Sequence, residues 1–150
     1  MKKDDQMVQA DLKGLDILQS IVDGKTPMPP MAQTIPMSII SVAPGSVFFT
    51  AIAGKQHLNP MGGVHGGFAA TVLDSVTGCA VHSLLESGIG YATVDLNVKM
   101  VRPVPRDREV TAIGKVIHIS GRLAVSEGRL QDGDGKILAH ATATCMILRG

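Results

Sequence analysis

Residues 68–85 form the longest largely apolar stretch of the chain, and they restrict the folds that the chain can adopt. Alanine, leucine, valine and cysteine occur on nearly every side of the helix that this stretch would form, and a helix that is apolar all round is a buried one. Its few polar residues are Thr71, Asp74, Ser75, Thr77, His82 and Ser83. The rest of the chain must therefore supply elements that surround this helix.

Strand patterns occur on both sides of the predicted helix. Apolar and polar residues alternate from 91 to 102, which predicts a long half-buried strand with Thr93 on its polar face. The predicted buried face of that strand carries Ala92, Val94, Leu96, Val98 and Met100. Further strands are predicted at residues 37–42, 47–53, 109–119, 123–131 and 136–148. Sequential hairpins favour an α+β fold in which a mainly antiparallel sheet wraps around one long helix.

The N-terminal part of the chain predicts one further helix. Apolar residues recur at helical spacing over residues 6–23, with Gly14 inside the pattern and Gly24 at its end. The proline-rich residues 26–31 cannot continue this helix, because proline lacks the backbone N–H that a helix interior needs. We therefore expect an extended segment after the helix.

Length and composition narrow the class of protein. The 150 residues suit a single domain over 1–150, with the N-terminal helix and extended segment at 1–30 and the core at 35–150. The formal net charge of +1 comes without a clustered basic stripe, which argues against a nucleic-acid partner. Cys79 and Cys145 lack metal or redox spacing, and no apolar run is long enough for a membrane span. The charged N-terminus has no signal-peptide pattern, so a cytoplasmic location is expected.

The outer face of the predicted sheet also carries apolar residues. The candidates are Ile113, Ile117, Met146 and Leu148. A sheet face of this kind would remain exposed in a single chain, and exposed apolar patches favour a partner. The sequence therefore predicts at least a homodimer.

Two features at the start and middle of the apolar helix are candidates for chemistry. Gly66 and Gly67 allow a ligand to approach the helix start, where the first N–H groups are free donors, although glycines there can also simply shape a turn. Asp74 lies in the middle of the helix, where an unpaired buried carboxylate costs free energy unless a neighbour caps it or it faces solvent. Eight residues separate Gly66 from Asp74, which is roughly 12 Å along a helix. One chain cannot bring both to one carbonyl group, but two antiparallel copies can.

Three more polar residues near this helix have both functional and structural interpretations. Asn59 can orient a water molecule or a carboxylate, or form a turn before Pro60. Thr93 can hold a water molecule, although a strand threonine is more commonly structural. A histidine ring is suited to general-base catalysis, but the place of His65 before the helix favours a structural role.

Together these residues resemble the motif of hotdog-fold thioesterases related to the phenylacetate-pathway (PaaI-type) enzymes. That motif has an Asn, a Gly three residues later, then His-Gly-Gly, and an Asp eight residues after the first Gly of the pair. Here it corresponds to Asn59, Gly62, residues 65–67 and Asp74, and residues 93–103 resemble the third strand of the same family. The resemblance extends from about residue 59 to 122 and implies the hotdog fold, with an extra N-terminal helix.

The resemblance also implies a role for each matching residue. Asp74 would act as general base or nucleophile, the Gly66 N–H of a facing subunit would polarise a thioester carbonyl, Asn59 would orient the attacking group, and Thr93 would assist the water. Residues that would bind coenzyme A (CoA) are Met100, Val101, Arg102, Pro103, His118, Ser120, Gly121, Arg122 and Leu123. No metal or other cofactor is implied, since CoA is part of the substrate, and the family favours a homotetramer.

The predicted reaction is hydrolysis of an acyl-CoA or aryl-CoA thioester to a free acid and CoA. A second interpretation is a hotdog dehydratase acting on hydroxyacyl thioesters, with His65 paired to Asp74. A third is a module that binds acyl-CoA without catalysis. The motif defines the reaction better than it defines the acyl group.

Overall fold

A computed structural model describes residues 11–150 and shows one sheet around one long helix. The helices are α1 (Gly14–Val22), α2 (Met31–Thr34) and α3 (Gly66–His82). The strands are β1 (Met37–Ala43), β2 (Ser46–Ile52), β3 (Gly90–Met100), β4 (Glu109–Ile119), β5 (Leu123–Gln131) and β6 (Ile137–Leu148). The six strands pair antiparallel in the order β1-β2-β4-β5-β6-β3. The predicted hotdog architecture is confirmed.

The core lies between α3 and the inner face of the sheet. Helix α3 contacts β2, β3, β4, β5 and β6, and its residues Val72, Leu73 and Val76 are completely buried. The approach is closest at β4, where a Cβ atom added to Gly114 would lie 2.1 Å from the backbone oxygen of Val76. The helix backbone therefore packs directly on this strand, because glycine leaves the space that a side chain would fill.

The N-terminal region differs from its prediction in two places. Gly14 begins α1 rather than lying inside it, and residues 6–10 of the predicted helix lie outside the described residues. A Cβ atom on Gly14 would lie 1.7 Å from the backbone oxygen of His82, so α1 meets the end of α3 without room for a side chain. The segment predicted to be extended is followed by the short helix α2, which the sequence pattern did not indicate.

A β-bulge in β3 makes the predicted face of this strand wrong over its first half. The register with β6 shifts between Thr93 and Asp95, so that Val94 is an extra residue and is exposed. Since side chains alternate along a strand, one extra residue reverses which of them face the core. Thr93 consequently faces inward, whereas Ala92, predicted to be buried, is exposed.

The outer face of the sheet carries apolar side chains, as predicted. Ile117, Met146 and Leu148 are exposed and Ile113 is half-buried. Ile117 is the extra residue of a second bulge, which lies in β4 between Val116 and His118. Within residues 11–150, no helix has both the length and the apolar character that a membrane crossing requires.

Replacement of Gly114 by Ala tests the close packing of α3 on β4. We expect the free energy of unfolding to fall by about 1–3 kcal/mol, because the added methyl group must displace a helix carbonyl. Urea unfolding followed by circular dichroism measures this change. Gly133→Ala is the control, since a Cβ atom there meets no atom within 4 Å. Equal losses for the two variants would contradict this account of the packing.

Candidate active site

The loop before α3 is held in shape by the side chain of Asn59. Its Oδ1 atom accepts hydrogen bonds from the backbone N–H groups of Met61, at 3.0 Å, and Gly63, at 3.1 Å. The Asn59 N–H also donates to the Gly63 oxygen at 2.7 Å. The turn-forming role of Asn59 is therefore present in the structure. Its amide nitrogen, which donates to no acceptor among residues 11–150, is the part of the side chain available to a ligand.

The first turn of α3 leaves one backbone donor free. His65 is the N-cap residue, and its Nδ1 atom accepts a hydrogen bond of 2.8 Å from the Gly67 N–H. The Phe68 N–H donates to the His65 oxygen at 3.0 Å. Among the described residues, no group accepts a hydrogen bond from the N–H of Gly66. A helix start carries partial positive charge, so this N–H is suited to a carbonyl oxygen that gains negative charge.

A cleft of about 540 Å³ opens beside this free donor. It brings together Asn59, Gly66 and four of the predicted CoA-binding residues, which are Met100, Val101, Arg102 and Pro103. The methyl carbon of Met100 lies over Gly66, 3.1 Å from where a Cβ atom of this glycine would be. Nη1 of Arg102 donates to the Ile137 oxygen at 2.8 Å, which fixes its guanidinium group at the rim.

Asp74 lies on the side of α3 that the sheet leaves uncovered. Its side chain is exposed in the single chain, which is the solvent-facing alternative that the sequence left open. The stripe of α3 on this side consists of Gly66, Gly67, Ala70, Thr71, Asp74, Ser75, Gly78 and His82, and of these only Gly78 is buried. Thr71 and Ser75 turn their hydroxyl groups back to helix carbonyl oxygens, so most of the stripe is small and without polar groups that point outward.

Several titratable side chains surround Asp74. Burial, with a smaller contribution from the negative charge of Asp74, raises the pKa of the Cys79 thiol to about 12. Burial likewise raises the pKa of Cys145 and of Tyr91, with a smaller contribution from Asp74 in each case. Both cysteines are therefore protonated, unpaired thiols at neutral pH. The charge of Asp74 contributes to the raised pKa of all three side chains.

The bulge in β3 directs Thr93 toward the same region. Thr93 Oγ1 lies 3.9 Å from the sulfur of Cys145, which is completely buried on the inner face of β6. Thr93 was predicted on the correct strand but on the wrong face, since the alternating pattern did not reveal the extra residue. Its hydroxyl group is half-buried and has only this weak sulfur partner among residues 11–150.

The predicted site residues thus form two groups in one chain. Asn59, Gly66 and residues 100–103 line the cleft, whereas Asp74 lies further along α3 and Thr93 lies on β3. The eight residues between Gly66 and Asp74 correspond to roughly 12 Å of helix. The dehydratase interpretation requires His65 to pair with Asp74, but a similar length of helix separates these two residues. The His65 ring caps the helix instead.

The turn between β4 and β5, with its predicted CoA-binding residues, lies at the other end of the sheet. On β6, Leu123 pairs with Met146 and Met100 with Ala139, so about 23 Å of strand separates the turn from the cleft. Ser120 donates to the Leu123 oxygen, and Arg149 donates to the Gly121 oxygen. His118 and Arg122 are exposed. One chain does not bring this turn to the cleft.

The sequence profile of the thioesterase superfamily matches residues 61–139, which include Gly66, Asp74 and Thr93. The chain belongs to the thioesterase superfamily. Acyl-coenzyme A thioesterase 13 from Homo sapiens is 27% identical over 109 residues, which are 72% of this chain and 77% of the human protein. The PaaI-type resemblance and the thioesterase activity predicted from the sequence are confirmed.

Solved structures support the same assignment. A phenylacetic acid degradation-related protein from Ralstonia eutropha JMP134 is 32% identical, with a TM-score of 0.78 over 86% of this chain and 98% of that one. The Escherichia coli PaaI protein from the phenylacetic acid degradation operon has a TM-score of 0.79 over 91% of this chain and 96% of its own. At 19% identity, PaaI shows the shared fold.

Several residues near the two groups were not predicted from the sequence of this thioesterase, and three of them are informative. Met61, which is 90% exposed, and Leu138 line the cleft, and Tyr91 lies beside the Asp74 group. Met61 stands inside the motif and Tyr91 is the chain's only tyrosine, so both had a signal in the sequence. Leu138 had none, because only the return of β6 toward the end of β3 places it there.

Substitution of His65 tests whether its ring caps α3 or acts as a base. His65→Ala should lower the free energy of unfolding by about 1 kcal/mol, because the Gly67 N–H loses its acceptor. His65→Asn, which offers a capping oxygen but no titratable ring, should restore most of this stability in thermal melts. A thioesterase rate that stays low in the stable Asn variant would show that the ring has a chemical role instead.

Proposed function

We propose that this thioesterase hydrolyses acyl-CoA thioesters to a free acid and CoA at a site shared between two subunits. The human relative is named an acyl-coenzyme A thioesterase, which supports CoA as the thiol. One observation carries the shared site: the free Gly66 N–H and the exposed Asp74 lie on one uncovered side of one helix, too far apart to serve one carbonyl group.

Two copies of α3 packed antiparallel would resolve this separation. The start of each helix would then face the middle of the other, and the two-fold axis would generate two equivalent sites. The small stripe supports this packing, because residues such as Gly67, Thr71 and Ser75 allow two helix backbones to approach closely. Asp74 would become buried only in the dimer, beside the Gly66 N–H of the partner.

The proposed reaction follows from the charges that these groups carry. The Gly66 N–H donates to the thioester oxygen and stabilises the negative charge that forms when the carbonyl carbon is attacked. Asp74 either removes a proton from the attacking water or attacks the carbon itself to form an anhydride that water then hydrolyses. The carbon–sulfur bond breaks, CoA leaves as a thiolate that takes up a proton, and the acid is released.

The remaining residues would position the reacting groups. The amide nitrogen of Asn59 is free to donate to the attacking group or to the carboxylate, while its oxygen holds the loop. The hydroxyl group of Thr93 would hold the water near Asp74. His65 would act through the helix start, since its ring fixes the turn that presents the Gly66 N–H.

The CoA arm would lie in the cleft beside Gly66. Met100, Val101 and Pro103 supply apolar walls, and Arg102 supplies a positive charge at the rim. The β4–β5 turn with His118 and Arg122 could reach the same CoA only from another subunit. A tetramer formed through the apolar outer face of the sheet is consistent with this arrangement.

Substitution of Asp74 tests the proposed chemistry. Asp74→Asn and Asp74→Ala should lower kcat by about 10²–10⁴-fold, because both remove the base or nucleophile. Free-thiol release from a panel of acyl-CoAs measures the rate, and circular dichroism verifies the fold. Asp95→Asn, on the outer face of β3, is a matched control that should retain the wild-type rate. Full activity in both Asp74 variants would refute the proposal.

Mixing of two inactive variants tests the shared site. Gly66→Val should fill the space under Met100, and Asp74→Asn removes the carboxylate, so each variant alone should be inactive. Random pairing makes half of the dimers mixed, and each mixed dimer has one intact site of two, which predicts recovery of about a quarter of the wild-type rate. The measurement is thiol release after unfolding and refolding the two variants together. No recovery in mixed dimers of verified composition would place both residues in one chain's site.

A further inference from the structure

Tyr91 closes this stripe of α3 at Gly78, one turn beyond Asp74. A Cβ atom added to Gly78 would lie 2.9 Å from Cε2 and 3.0 Å from the hydroxyl oxygen of Tyr91. The Tyr91 ring also lies against the His82 ring, with centroids 5.4 Å apart. The stripe is therefore open from Gly67 to Ser75 and closed at Gly78, which is buried although it has no side chain.

The position of Tyr91 depends on two features of the fold. The bulge in β3 leaves Tyr91, two residues before Thr93, on the same inner face as Thr93. The absence of a side chain at Gly78 allows the flat ring to lie directly on the helix. Asp74 and Gly78 are four residues apart on α3, which is about 6 Å along the helix, so the ring forms a wall next to the carboxylate.

A thioester bound at the shared site would direct its acyl group toward this wall. The two substituents of a thioester carbonyl, sulfur and the acyl carbon, leave it on opposite sides. The cleft that would receive the CoA arm belongs to the chain that supplies Gly66, because Met100, Val101 and Pro103 line it there. The acyl carbon then points to the chain that supplies Asp74, where Tyr91 closes the stripe.

We infer that Tyr91, seated on Gly78, sets the length limit of the acyl site and makes the enzyme selective for short, compact acyl groups. This inference rests on the proposed function. Tyr91 is here a residue that determines specificity, because its ring would contact the acyl group without taking part in bond breaking. A flat ring held between β3 and α3 can move aside only at a cost in free energy, because the buried helix lies directly beneath it.

Comparison of two substrates in wild-type and variant enzymes tests this inference. The measured quantity is kcat/KM for octanoyl-CoA divided by that for butyryl-CoA, followed as thiol release. Wild type should prefer butyryl-CoA, and Tyr91→Ala should raise the ratio by about tenfold or more, because each buried methylene of a substrate changes kcat/KM by about that factor. Tyr91→Leu, which keeps a smaller apolar side chain, should move the ratio in the same direction if the Ala variant fails to fold.

Two control variants separate a length limit from general loosening. Tyr91→Phe keeps the ring and should leave the ratio unchanged, whereas Ile89→Ala removes a half-buried side chain from the same apolar cluster and should also leave it unchanged. A wild-type enzyme that prefers octanoyl-CoA, or a ratio that stays constant in both smaller Tyr91 variants, would overturn the length limit alone. Failure of the wild type to cleave any acyl-CoA would overturn the proposed function together with it.

Discussion

The contact of the α3 backbone with β4 is the interaction on which the remaining structure depends. Gly114 allows the carbonyl oxygen of Val76 to lie where a side chain would otherwise be, and Gly128 provides similar space on β5. The sheet can therefore curve closely around one side of the helix. Because that side is fully covered, the opposite side is left as a stripe, and this stripe carries Asp74.

Most of the fold can be predicted from sequence patterns that involve residues close together in the chain. The strand at residues 123–131 and the start and end of β4 were predicted correctly, since alternation and turn residues define them directly. The bulges in β3 and β4 could not be predicted, because an extra residue is stabilised by the neighbouring strand and leaves the alternation in the sequence nearly intact. The first residue of α1 could not be predicted either, because Gly14 lies there through its close contact with the backbone of His82.

The sequence predicted which residues belong to the site better than it predicted the environment of each residue. The motif identified Asn59, Gly66 and Asp74, but the apolar helix pattern did not decide whether Asp74 is buried or faces solvent, and the single chain leaves it exposed. Residues such as Leu138, which reach the cleft through strand pairing, have no local pattern to reveal them.

The bulge at Val94 divides β3 into two parts whose side chains contact different regions of the protein. Before it, Tyr91 and Thr93 face the region around Asp74, and after it, Leu96 and Val98 pack in the core. Loss of a single residue at this point would turn either the first or the second group outward. Evolution can therefore alter this strand through substitutions but not through insertions or deletions, so related enzymes that diverge in substrate should keep the length of this segment while its residues vary.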